Sequence, residues 1–93
     1  MTPKQIELAR HALGFQEGKK LKVSYRNRFV TDADSDDGKE WMQMVRAGHA
    51  ARVTGIESLG GMDFFYLKRS GALSVLKKGE TLCREDFPVM TLA

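Results

Sequence analysis

The chain contains a single cysteine, Cys83, which excludes an internal disulfide and any multi-cysteine zinc site, so nothing in it calls for an oxidising compartment. It has only two histidines, His11 and His49, and two prolines. Long apolar runs are missing: no stretch approaches the roughly 18 apolar residues of a membrane span. Nor does an apolar run follow a basic N-terminus, because Lys4, Glu7 and Arg10 are mixed among Ile6, Leu8 and Leu13. These absences predict a cytoplasmic protein with no membrane partner. Gly-x-Ser-x-Gly, His-Glu-x-x-His, a phosphate-binding glycine loop and a dinucleotide fingerprint are all missing. No catalytic residue and no cofactor is therefore assigned, and the expectation is a protein that is not an enzyme.

Ninety-three residues make one domain. A domain of that size buries only a little over about 60% of its unfolded surface, so most large apolar side chains are needed for the core. The composition, 42% hydrophobic and 29% charged, is that of a folded globular chain. Net charge is a modest +3, but its distribution is uneven. Lys19, Lys20, Lys22, Arg26 and Arg28 crowd into ten residues without an acid, and Asp32, Asp34, Asp36 and Asp37 follow directly. From Leu21 to Phe29 apolar side chains occupy odd positions (Leu21, Val23, Tyr25, Phe29) and Lys22, Ser24, Arg26 and Arg28 the even ones. This alternation predicts a strand with Leu21, Val23 and Tyr25 in the core. Lys22, Arg26 and Arg28 then line its open face, alternate residues being about 6 to 7 Å apart.

Before that strand, Thr2, Pro3 and Gln5 have the pattern of a capped helix start, and Ile6, Leu8, Ala9, Ala12 and Leu13 give it an apolar stripe ending at Gly14. A helix over about 3–13 follows, with Phe15 folding back on its last turn and Gln16 to Lys20 forming a polar turn. After the strand, Asp37 and Glu40 have capping-box spacing for a second helix that carries Trp41, Met44 and Val45 on one face and stops at Gly48. Arg52–Glu57 and Asp63–Lys68 read as a β-hairpin around Ser58, Leu59, Gly60 and Gly61. Ser70–Lys77 reads as a third helix with Leu73 and Leu76 inward, stopping at Gly79. The remainder, with Leu82, Phe87 and Pro88, reads as an extended arm. The predicted fold is α+β: helix–strand–helix–β-hairpin–helix with an extended C-terminal arm.

The series Asp32, Asp34, Asp36 has the first three ligand positions of a calcium loop, but position six is Asp37 instead of glycine and position twelve is Gln43 instead of glutamate. It reads as a solvated loop and helix cap, and no metal is assigned. Its acids are also placed to cover the basic strand until a partner displaces them. His11 and His49 stand at helix ends, where cations complement the dipole. Trp41, Phe64, Phe65, Tyr66 and Phe87 are potential base-stacking platforms, but the demands of a small core assign them to packing.

From Trp41 to Leu76 the order helix, short hairpin, helix resembles half of a winged-helix domain, with Phe65-Tyr66-Leu67-Lys68-Arg69-Ser70-Gly71 similar to the end of a wing. That resemblance implies DNA contact through the second helix and the hairpin loop Leu59–Met62. Thr2-Pro3-Lys4-Gln5-Ile6, Ser24–Phe29, Trp41-Met42 and Gly79-Glu80 to Asp86-Phe87-Pro88 carry a broader similarity to a group of small uncharacterised proteins of bacteriophages and prophages. This implies a bacterial cytoplasmic setting and no mechanism. The expected function is a non-enzymatic phage-type accessory protein that binds an anionic partner, foremost nucleic acid, through Lys19, Lys20, Lys22, Tyr25, Arg26, Asn27 and Arg28. The alternative is a protein-binding accessory or inhibitor that uses the same surface.

Overall fold

The structure, a computed structural model, describes residues 1–15, 20, 22–54 and 60–87. Helix α1 (Pro3–Leu13) starts as its sequence requires: the Thr2 hydroxyl accepts from the Gln5 backbone N–H and the Gln5 carboxamide accepts from Thr2 N–H, both at 3.2 Å. It ends at Gly14, whose φ of 92° is left-handed. Leu8, Ala9, Ala12 and Leu13 are buried. Phe15 is buried too, with the Arg10 guanidinium 5.0 Å above its ring.

Strand β1 (Phe29–Thr31) leads through the Asp-rich turn into helix α2 (Asp36–Arg46). The N-cap of α2 is Ser35, whose hydroxyl accepts from Gly38 N–H at 3.0 Å. The expected Asp37 cap is displaced because Asp36 and Asp37 already lie within the first turn, where their charge favours the helix dipole. Gly38 must be glycine for packing reasons: a Cβ there would run into the Asp32 carbonyl. Strands β2 (Ala50–Val53) and β3 (Asp63–Leu67) form the predicted antiparallel hairpin, with β2 starting before the expected Arg52 and ending at Val53, and β3 starting at Asp63 as expected and ending at Leu67. The connection holds Gly60 and Gly61, both at positive φ (66° and 82°). Residues 55–59 of that reading lie outside the described residues.

β3 is the central strand of a three-stranded antiparallel sheet ordered β1-β3-β2. Phe29 pairs with Phe65 on one side of it and Arg52 with Phe65 on the other. All three helices lie on one face, and the core forms between them and that face. Trp41 sits between Phe29 and Phe65, with ring centroids 5.5 and 5.7 Å away. Met44, Ala50, Leu67, Ala72 and Phe87 complete the interior. Gln5, itself buried, ties α1 to α2 by donating to Glu40 Oε1 at 3.1 Å and Gln43 Oε1 at 3.0 Å.

Helix α3 (Arg69–Ser74) is shorter than expected and turned differently. Ala72 and Val75 face inward while Leu73 is 48% exposed. Gly71 decides this orientation: α3 lies so close to the His49 carbonyl that only a residue without Cβ fits there. The α+β order of elements is as predicted. The C-terminal arm packs on the body as far as Phe87, and Pro88 lies outside the described residues.

Candidate functional site

The basic segment is not a strand. Between Lys22 and Arg28 its only ladder contact is a lone parallel bridge from Val23 to Thr81, and the regular strand begins at Phe29. Burial runs opposite to the alternation: Val23 and Tyr25 are each 51% exposed, and Ser24 is 2% exposed. The cause is where the backbone bonds go. Tyr25 N–H donates to the Leu13 carbonyl and Arg28 N–H to the Ala12 carbonyl, both at 3.1 Å, so the segment satisfies the open carbonyls at the end of α1 instead of a neighbouring strand. On its other side Thr81 N–H donates to the Lys22 carbonyl, Ser24 N–H to the Thr81 carbonyl, and Cys83 N–H to the Ser24 hydroxyl at 2.8 Å. Ser24 turns inward to serve that last bond. Lys19 and Leu21 lie outside the described residues.

Three of the candidate residues hold this architecture in place. Arg26 donates from Nε and one Nη to the His11 carbonyl at 3.2 and 2.7 Å, a cation set at the negative end of α1. Asn27 donates from Nδ2 to the Leu67 carbonyl at 2.9 Å and accepts at Oδ1 from Leu67 N–H at 2.8 Å. Its carboxamide thereby continues the β1–β3 ladder by one rung where the backbone has already turned away. Tyr25 lays its ring against Gly14 and has the Arg26 guanidinium 5.4 Å from its centroid.

Lys20, Lys22 and Arg28 are exposed, and none of the ion pairs among the described residues involves them or Arg26. Arg28 holds its guanidinium 5.9 Å from the centre of the Phe64 ring. His11, Arg26, Arg28, Phe29 and Val30 line an open groove of about 520 Å³, with no carboxylate among its described lining residues. His11 is the member sequence reasoning did not bring here. Its ring meets Phe29 edge-on at 5.7 Å, and only the return of the chain across the end of α1 places it beside Arg26. Among the described residues, no aspartate of the 32–37 stretch forms an ion pair with a cation of the basic segment. Asp37 pairs with Lys4 at 3.6 Å and Asp32 accepts from Asp34 N–H at 2.9 Å.

One pair stabilises the whole arrangement. Arg10 forms a bidentate bridge to Glu80 at 2.6 and 2.8 Å and also donates to the Val75 carbonyl, the cap of α3. The Arg10 hydrogen bond, with smaller help from Lys77 N–H and the charges of Arg10 and Lys22, lowers the Glu80 carboxyl to about 2 against the opposing effect of burial. Glu80 immediately precedes Thr81, so this bridge fixes the arm that straps the basic segment.

In comparisons with known proteins, the chain matches no family model, no curated protein and no solved structure.

Proposed function

We propose that this chain is a small, non-enzymatic accessory protein of phage or prophage type that binds nucleic acid through the surface at Lys20, Lys22 and Arg28 and the groove beside it. The observation that carries the reading is the groove at His11, Arg26 and Arg28, which gathers two guanidinium groups and an imidazole with no carboxylate among its described lining residues. Phosphates neutralised there, and at exposed Lys20 and Lys22, release counterions and make affinity salt-dependent. Base edges are not read by these residues, so sequence preference is weak.

The test is binding of labelled oligonucleotides across a salt series to the wild type and to Lys22→Ala/Arg28→Ala. Arg26 is left intact because its guanidinium caps α1. Loss of two phosphate contacts lowers the slope of log K against log salt by about 1.4 for a single strand. No binding of any oligonucleotide at low salt refutes the reading. The alternative, a protein partner, draws support from a second groove of about 460 Å³ in which Leu73, Leu76 and Leu82 lie beside Arg69 and Arg84. A partner there would be an acidic amphipathic segment.

A further inference from the structure

Alternate residues of β3 divide the aromatic side chains between two environments. Asp63, Phe65 and Leu67 turn to the core, whereas Phe64 and Tyr66 stand on the opposite face, which none of the three helices covers. The register sets Val30 and Val53 on either side of Phe64 and Ala51 beside Tyr66. Met62, Val53 and Tyr66 are 48%, 38% and 36% exposed and Phe64 is half-buried among them, so among the described residues this sheet face presents apolar side chains to solvent. Neither ring belongs to the buried core, in which Trp41 packs between Phe29 and Phe65.

We propose that Phe64 and Tyr66 form a base-stacking platform for single-stranded nucleic acid, with Arg28 holding the phosphate beside it; this deepens the nucleic-acid reading and rests on it. Three features select that occupant over a second protein surface. The Arg28 guanidinium, 5.9 Å from the centre of the Phe64 ring, puts a cation for phosphate next to the two rings, and a base stacks on Phe64 as Arg28 turns from the ring to the phosphate. Arg28 and Val30 also border the basic groove, which makes groove and sheet face one path. Finally, the Phe64 and Tyr66 centroids are 5.8 Å apart with planes inclined by 35°. Neighbouring nucleotides of a duplex strand are separated by roughly 3.4 Å, so consecutive bases meet both rings only when splayed apart. Duplex is therefore excluded from the platform.

The experiment compares three fluorescent probes with the same number of phosphates, an oligothymidylate, an abasic phosphodiester strand and a correspondingly shorter duplex, on the wild type, Tyr66→Ala, Phe64→Leu and Lys22→Ala/Arg28→Ala. Thermal melts confirm that each variant is folded. The platform requires the oligothymidylate to bind more tightly than the other two probes. It also requires each aromatic substitution to weaken that probe alone by about tenfold with an unchanged salt slope. Equal binding of all three probes, unaffected by Tyr66→Ala and Phe64→Leu but reduced by Lys22→Ala/Arg28→Ala, overturns the platform and leaves the nucleic-acid reading standing. Absence of binding to every probe refutes both. Self-association in sedimentation equilibrium that disappears in Tyr66→Ala assigns the face to a second copy of the chain, and likewise overturns the proposal.

Discussion

Replacing Arg10 by methionine keeps most of the side-chain volume over Phe15 and removes only the charge and its hydrogen bonds. The wild-type guanidinium makes two bonds to Glu80 and one to the Val75 carbonyl, and the side chains of Arg10 and Glu80 are 15% and 6% exposed. Removing one member of such a pair leaves a carboxylate with little water access, a loss of about 3 to 5 kcal/mol when burial is complete, so we take about 3 kcal/mol for this pair. For a domain of this size that lowers the melting midpoint by roughly 12 to 24 °C. Arg10→Met/Glu80→Leu removes both charges and recovers most of the loss, because no uncompensated ion remains. Urea unfolding of wild type, both single variants and the double variant closes the cycle. A cost below about 1 kcal/mol for Arg10→Met, of the order seen for exposed pairs, refutes the reasoning, as does a double variant no more stable than the singles. Hydrogen exchange at Ser24 and Thr81 N–H, which bond across the strap, is expected to accelerate in Arg10→Met alongside the loss of stability.

The same pair sets an acid limit. The folded Glu80 carboxyl titrates near 2, below its ordinary 4.5, so its contribution is complete above the higher value and disappears as pH falls toward the lower one. The gap between wild-type and Glu80→Gln melting midpoints therefore narrows from pH 5 to pH 2. Asn27→Ala leaves the N–H and carbonyl of buried Leu67 without partners and costs about 2 kcal/mol or more in urea unfolding. Gly14→Ala meets both positive φ and the Tyr25 ring. Its loss, about 2 kcal/mol, exceeds that of Gly48→Ala, where φ is 83° and space is open. Trp41 buries its indole Nε1 without a partner among the described residues. Trp41→Phe removes that orphan donor and costs under about 1.5 kcal/mol, against about 3 to 5 kcal/mol for Trp41→Ala.

Local signals were legible wherever the chain's own neighbours decide the outcome. The Thr2–Gln5 capping box, the Gly14 stop, the buried Trp41 and Met44 of α2, and the α+β order all depend on contacts within a few residues or on helical period. The readings that failed did so at long range. The alternation from Leu21 to Phe29 has a strand's period, but period does not specify a partner. The partners turned out to be the α1 carbonyls and Thr81, which reverse the burial of Val23, Ser24 and Tyr25. Leu73 was expected inward on helical spacing, yet the close approach of Gly71 to His49 turns it out.

By itself, then, the sequence determined the kind of elements, their order and the charge of the segment 19–28, since propensity, capping and composition are properties of the local chain. Tertiary structure alone decided which of the described cations have internal partners and which aromatic rings lie outside the core. Arg26 and Asn27 are drawn into capping and ladder bonds because the end of α1, and Leu67 where β3 runs past the start of β1, offer backbone groups to bond. Phe64 and Tyr66 remain outside because all three helices pack on the other face of the sheet, and only the folded arrangement determines which face that is.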